Sequence, residues 1–377
     1  MILWLNGGPG ASSVSTVFVQ NGPLRVVKVN GKLKLQPHNY TWNEEFAVLY
    51  IDNPVGTGFS FTDNESHYLS NESEVGHDVY EALRQFFLLF TEYRGNPFYV
   101  TGVSYGGKYV PAVGYKIHTM GEQAKKDGIN LKGLSIGNGL CDPKTQSDYG
   151  DFLWKLGLID KHQRDHFLAE QAKIVKLIDQ KEYTKAVLVM NELFLGFPIP
   201  GHPHPQTYFK NVTGISSVYN LNEEFPESGL ENYINYLSQN STRKALHVGN
   251  QKFTESSRLV FTHMLNDIFN STKSWIEELL NANYRIIFYN GNLDIIVAAT
   301  LTEDFLNTLK WNKASKFYSA ERKIWKVAKE DHSVAGYVKR VDNLYFAVVR
   351  NAGHAVTADQ PRAASDLITR FIKEQDF

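Results

Sequence analysis

The sequence predicts an α/β fold: a doubly wound, mostly parallel sheet carrying a second, helical unit. Three observations lead there. Short runs of β-branched and aromatic residues recur, at Ile2–Leu5, Ala47–Asp52, Phe98–Val103, Leu131–Ile136, Arg285–Tyr289 and Tyr345–Val349. Between several of them lie segments with apolar residues at helical spacing, such as Val79, Leu83, Phe86, Phe87 and Phe90. Strand and helix in alternation build a parallel sheet covered on both faces. The third observation is a long stretch, 149–272, without strand signals, where Ile174, Leu177, Ile178, Val187 and Met190 form one apolar helical face. The expected organisation is therefore a core at 1–148, a helical cap at 149–272, and the rest of the core at 273–377.

Composition narrows the function. At 377 residues and 42% hydrophobic content the chain can bury a large core. A net charge of −1 gives no reason to expect nucleic acid or an anionic membrane as partner. No apolar run approaches the ~18 residues of a membrane span. Phe86–Phe90, the greasiest stretch, reads as core helix. The start, Met1-Ile2-Leu3-Trp4-Leu5, has neither a basic leader nor a long apolar region and resembles an internal strand, so the natural beginning is expected to lie upstream. A single cysteine, Cys141, excludes an internal disulfide. Against that cytosolic signal stand six N-x-[ST] sites, at Asn39, Asn64, Asn71, Asn211, Asn240 and Asn270.

The chain's chemistry centres on Gly102-Val103-Ser104-Tyr105-Gly106, directly after the Phe98–Val103 strand and before a helix-competent segment. G-x-S-x-G in that context forms a nucleophile elbow, which lifts a serine hydroxyl above the sheet. The pattern alone arises by chance in roughly one chain of this length in ten, so partners must be found. In an α/β-hydrolase sheet the acid and then the histidine follow the serine. Asp294 lies in the loop leaving the Arg285–Tyr289 strand, and His354 in the small-residue loop after Tyr345–Val349. Of 12 histidines, His354 alone has that placement. Asp52 also ends a strand but precedes the serine, and is read as a loop anchor. His354 would take the serine proton and Asp294 would fix the imidazole tautomer. The backbone N–H of Tyr105 and those of the Gly7–Gly8 turn would hold an oxyanion, though Asn6–Ser13 also reads as a plain Gly/Pro turn. Phe59, Tyr105 and cap residues are expected to shape side-chain choice. His202 and His204 have no further metal ligand nearby, so no metal and no cofactor is expected.

With these residues in place, the chain resembles the serine carboxypeptidases, in particular their vitellogenic carboxypeptidase-like branch. The resemblance rests on Trp4–Gly10, Asp52–Ser60, the Ser104 elbow, Tyr289–Asp294, and Gly353-His354 with Asp359-Gln360-Pro361. It implies an α/β-hydrolase core with a cap, a secreted or lysosomal/vacuolar location, and removal of single residues from the C-termini of peptides or proteins. It also implies that Gly8 and Tyr105 supply the oxyanion N–H groups. Asn6 and Gly7 match residues that help bind the substrate's terminal carboxylate. The departures are as informative. Val103 and Gln20 stand where the family usually has two glutamates that share a proton on that carboxylate, a pairing that ties activity to low pH. Ala355 replaces a larger apolar residue after the histidine, Thr357 replaces a proline, and the family's cysteines other than Cys141 are missing. Recognition of the carboxylate is expected to be weakened. Three alternatives stay open: an attenuated peptidase, an esterase or acyltransferase on the same triad, and a non-catalytic peptide- or protein-binding relative. A homodimer is also open.

Overall fold

A computed structural model describes residues 1–202, 206–222 and 227–377. The described residues contain ten strands: β1 (Ile2–Leu5), β2 (Leu24–Val29), β3 (Lys32–Pro37), β4 (Val48–Tyr50), β5 (Pro97–Val103), β6 (Asn130–Gly137), β7 (Arg285–Gly291), β8 (Lys323–Trp325), β9 (Gly336–Val341) and β10 (Leu344–Val349). Eight of them form one sheet in the order β4-β1-β5-β6-β7-β10-β9-β8. From β4 to β10 every pairing is parallel, and β9 and β8 add an antiparallel edge. This is the α/β-hydrolase arrangement expected from the alternating elements.

Both faces of the sheet are buried. Leu3 and Leu5 face the layer that holds Val79, Leu83 and Val113, from the helices Glu72–Leu89 and Gly106–Met120. Ile2 and Trp4 face the other side, with Leu367, Ile368 and Phe371 of the helix Pro361–Lys373. The alternation follows from the period of two in a strand. From β1 the chain runs outward to β4, then crosses back to β5 on β1's other side. The loops after β1 and β5 therefore flank a topological switch point, where open α/β sheets place their ligands.

Between β6 and β7 the described elements are helical, including Tyr149–Lys155, Lys161–Asp179, Tyr183–Met190 and Glu227–Leu237. Phe167, Ile174, Val187 and Met190 join the same buried cluster as Leu134 and Phe288 of the sheet. The segment 254–257 runs back along two core loops. Thr254 forms a bridge with Gly58, and Ser256 with Ala11.

Several expectations need correction. The Val48–Tyr50 strand is only half-buried, because it is the sheet's edge and pairs on one side alone. Within Phe86–Phe90 only Phe87 is core, while Leu88 and Leu89 are 61% and 76% exposed. The helix's inner face is set by Val75, Val79, Leu83 and Phe87, and Leu88 and Leu89 fall outside it. The β2–β3 hairpin and the β8–β9 edge were not anticipated. His202 is exposed and His204 lies outside the described residues.

Candidate active site

Ser104 occupies the turn between β5 and the Gly106–Met120 helix with φ of 63°, a left-handed conformation rare for serine. Hydrogen bonds hold it there: Ser104 N donates to Gly137 O (3.0 Å), and Ser104 O accepts from Gly107 N (2.9 Å) and Leu140 N (3.0 Å). The neighbouring glycines are needed for contact, not only for torsion. A Cβ on Gly102 would sit 2.7 Å from Leu5 O, and one on Gly106 would sit 2.9 Å from the same atom.

His354 Nδ1 lies 2.8 Å from Asp294 Oδ2, and Nε2 is buried without a hydrogen-bond partner. Because an ionised carboxylate only accepts, Nδ1 carries the proton and Nε2 is left as the acceptor. The Asp294 side chain is fully buried. Its Oδ1 accepts from the backbone N of Ile296 (3.1 Å) and Val297 (3.3 Å), and Oδ2 also accepts from Asn138 Nδ2 (2.5 Å). Asn138, held by a bond from its N to Tyr289 O, is a site residue the sequence reading missed. The histidine loop is clamped by His354 N donating to Tyr219 O (2.7 Å) and Gly353 N donating to Asp359 Oδ2 (2.6 Å).

Gly7 abuts the elbow. A Cβ there would stand 2.5 Å from Tyr105 N and 2.7 Å from both Ser104 Cβ and Val103 O. Neither Gly8 N nor Tyr105 N donates to a group among the described residues, so both N–H groups are free to point at a developing charge. Asp52 is indeed an anchor: it accepts from Ser12 Oγ (2.6 Å), Val14 N (3.1 Å) and Phe59 N (2.9 Å), which ties the loops after β1 and β4 together.

Ser104 and His354 open onto a cavity of about 1260 Å³, which Asn6, Gly7, Gly8, Gln20, Val103 and Ala355 also line. Phe59 is not among the lining residues. Its ring packs on Phe253 at 5.0 Å between centroids, so it buttresses a loop and does not touch the cavity. The description "serine carboxypeptidase" fits a family whose profile matches residues 1–374.

The chain belongs to the serine carboxypeptidase family.

Among its relatives, venom serine carboxypeptidase of Apis mellifera is 47% identical over 378 residues, covering 100% of this chain and 78% of that protein. Vitellogenic carboxypeptidase of Aedes aegypti is 41% identical, covering 98% of this chain and 76% of that protein. The solved structure of the prohormone-processing carboxypeptidase Kex1 from Saccharomyces cerevisiae superposes with a TM-score of 0.83 at 26% identity, covering 99% of this chain and 83% of that one. The protein is a hydrolase, a serine-type carboxypeptidase with the α/β-hydrolase fold.

Within this serine carboxypeptidase, two of the unusual positions meet. Thr357 Oγ1 donates to Gln20 Oε1 at 3.0 Å, although 337 positions separate them. Arg25, also in the cavity wall, donates to Phe18 O and Gln20 O and so fixes the end of the short helix Thr16–Val19. Burial lowers the Arg25 pKa to about 10. Behind the elbow, Lys108 is fully buried against Asp267 Oδ2 at 2.8 Å. Glu72 is buried beside Lys108 and Tyr105, and burial raises its carboxyl to about 8.

Proposed function

We propose that this serine carboxypeptidase releases single residues from free peptide C-termini through an acyl-enzyme on Ser104. His354 Nε2 takes the proton from Ser104 Oγ as Oγ attacks the scissile carbonyl carbon. The N–H groups of Gly8 and Tyr105 hold the oxyanion, and Asp294 stabilises the imidazolium. The proton then passes to the leaving amine. Water, activated by the same nitrogen, frees the acyl group and restores the serine. The observation that carries this reading is the Asp294–His354 bond, with Nε2 unpartnered in a cavity that the elbow serine also lines.

Carboxylate recognition is proposed to be weaker and less acid-dependent than a paired-glutamate site would give. A glutamate pair needs a shared proton to accept a carboxylate. Here Thr357 occupies Gln20 Oε1, which leaves the amide Nε2 as the donor end, and Asn6 Nδ2 retains one N–H beyond its bond to Ser12 O. Neutral donors need no proton to work. Val103 adds none. With Val103 and Gln20 supplying no carboxyl pair, selection for a free C-terminus relaxes, which favours esters as a second substrate class.

An organophosphonate probe tests the catalytic reading: failure to label Ser104 in the folded protein would refute it. Blocked dipeptides with free or amidated C-termini test the second reading, and a strong preference for the free acid would count against weakened recognition. Combining Val103→Glu with Gln20→Glu should move the pH–rate optimum to acid. A secreted or lysosomal location is proposed from the relatives' kinds and from the sequons. Asn39, Asn64, Asn211, Asn240 and Asn270 are exposed, while Asn71 is half-buried at a helix N-cap. A mobility shift on glycosidase treatment checks it. Among the described residues no helix is long and apolar enough to cross a membrane.

A further inference from the structure

Behind the serine elbow lies a buried acid that the mechanism above does not use. Glu72 opens the helix Glu72–Leu89, whose N-cap Asn71 accepts from Glu74 N, yet its own side chain turns inward and is buried. Tyr105, Lys108 and Tyr109 face it from the start of the helix Gly106–Met120, and Asp267 faces it from the segment after Arg258–Met264. Lys108 is not free to pair with it. The N–H bonds of that ammonium go to Asp267 O, Asp267 Oδ2 (2.8 Å) and Ile268 O (3.4 Å), so the Lys108–Asp267 pair is closed. Neither Glu72 oxygen makes a hydrogen bond of normal geometry among the described residues, nor do the Tyr105 and Tyr109 hydroxyls. A buried carboxyl without its own counter-charge is held as the neutral acid.

Both tyrosines lead from this acid to the oxyanion site. Tyr105 carries one of its N–H groups, and the Tyr109 hydroxyl faces the backbone of Gly10, two residues past Gly8. The two rings meet edge to face at 5.2 Å, and Lys108 Nζ stands 5.1 Å from the Tyr105 ring centroid. Both rings are buried, so a charge placed on Glu72 reaches the elbow with little screening.

Resting on the acyl-enzyme reading of Ser104, we propose that Glu72 is a positioning residue of the oxyanion site, which works while Glu72 is a neutral acid and weakens when it ionises. As the acid, Glu72 leaves Tyr105 beside a closed ion pair and no net charge. As the carboxylate, it adds an uncompensated negative charge behind the residue whose N–H must stabilise an anion. At about 10 Å and an effective dielectric of about 20, such a charge slows oxyanion formation roughly tenfold. Burial raises the Glu72 carboxyl to about 8. Below that pH it keeps its proton and the site is fully active; above it the rate falls. Burial also holds both tyrosine hydroxyls well above their ordinary value, so they stay neutral throughout. The fall belongs to the rate of attack and not to substrate binding, which separates it from any effect of Val103 and Gln20.

The test follows labelling of Ser104 by an uncharged organophosphonate from about pH 6 to 9.5, because that attack also builds charge on an oxygen in the oxyanion site. The maximal labelling rate of the wild type should fall about tenfold through pH 8, with the half-saturating concentration unchanged. Glu72→Gln, which keeps a neutral side chain, should lose that fall. Tyr105→Phe keeps the backbone N–H but removes the hydroxyl that favours ionised Glu72, so the fall should move to higher pH. A wild-type rate that stays flat above pH 8, or the same fall at the same pH in Glu72→Gln, would overturn the assignment while leaving the acyl-enzyme reading intact. Should Glu72→Gln fail to fold, Tyr105→Phe decides alone, and a fall at the wild-type pH would overturn the assignment. Absence of labelling in folded wild-type protein would overturn both.

Discussion

Gly7→Ala is the sharpest test of how the oxyanion site is built. The backbone at Gly7 is not in the left-handed region, so alanine meets no torsional barrier and the whole effect is steric. The new methyl would start 2.5 Å from Tyr105 N, whereas ordinary contact begins at 3.4 Å, so loop and elbow must separate by about 0.9 Å. Two further contacts, at 2.7 Å to Ser104 Cβ and Val103 O, block sideways escape. None of the three atoms is the free end of a flexible side chain. A misplacement of roughly 1 Å between reacting groups costs about 100-fold in rate, and overpacking costs about 1–3 kcal/mol in stability. The expected result is kcat lowered about 100-fold, with the midpoint of urea unfolding lowered as well. Active-site titration with a phosphonate separates slow turnover from loss of folded enzyme. A folded variant with kcat within about fivefold of wild type would show that Gly8 and Tyr105 do not jointly hold the oxyanion.

Other predictions follow from the same geometry. Asp294→Asn should cut kcat about 10³- to 10⁴-fold, because the imidazole loses the carboxylate that fixes its tautomer and stabilises the imidazolium; stopped-flow acylation rates would record it. Lys108→Met leaves Asp267 buried without its partner, so chemical denaturation should show a loss of about 3–5 kcal/mol, largely recovered in Lys108→Met combined with Asp267→Leu. Glu72 has a folded-state pKa of about 8, above the ordinary glutamate value of about 4.3, so the folded state binds more protons between those limits. Stability should therefore fall as pH rises from 4 to 8. Thermal midpoints of Glu72→Gln should lack that decline, and parallel profiles for the two proteins would contradict it.

Much of the fold was legible in the sequence because buried parallel strands read as short apolar runs. β1, β5, β6, β7 and β10 each do, and the order serine, aspartate, histidine places the last two in the loops after β7 and β10. What escaped has specific causes. Asn30-Gly31, with φ of 50° and 76°, is a strong hairpin signal between Leu24–Val29 and Lys32–Pro37. Its flanking strands are rich in lysine and poor in buried residues, so they lack the apolar runs that mark the buried sheet. The exposure of Leu88 and Leu89 follows from the helical period, which runs through Val79, Leu83 and Phe87. Asn138 lay just past a recognised strand, but nothing local marks a polar residue that will meet an aspartate 156 positions later. The Gln20–Thr357 bond is likewise invisible until the sheet brings both ends of the chain together. Phe59 misled because an aromatic in a glycine-rich loop suggests a lined pocket, whereas its ring was needed against Phe253.

The bridges that join residues 254–257 to Ala11 and Gly58 also constrain how the enzyme comes into being. The loop holding Gly8 is synthesised well before residues 254–257, so Ser12 N, Gly10 O and Gly58 find their partners only after residue 257 has emerged. Contacts of such sequence separation form late and slowly. Asp294 and His354 emerge later still. Until residue 354 has been made the polypeptide thus holds a serine elbow without its histidine, and hydrolytic power can arrive only after these distant segments have closed on one another.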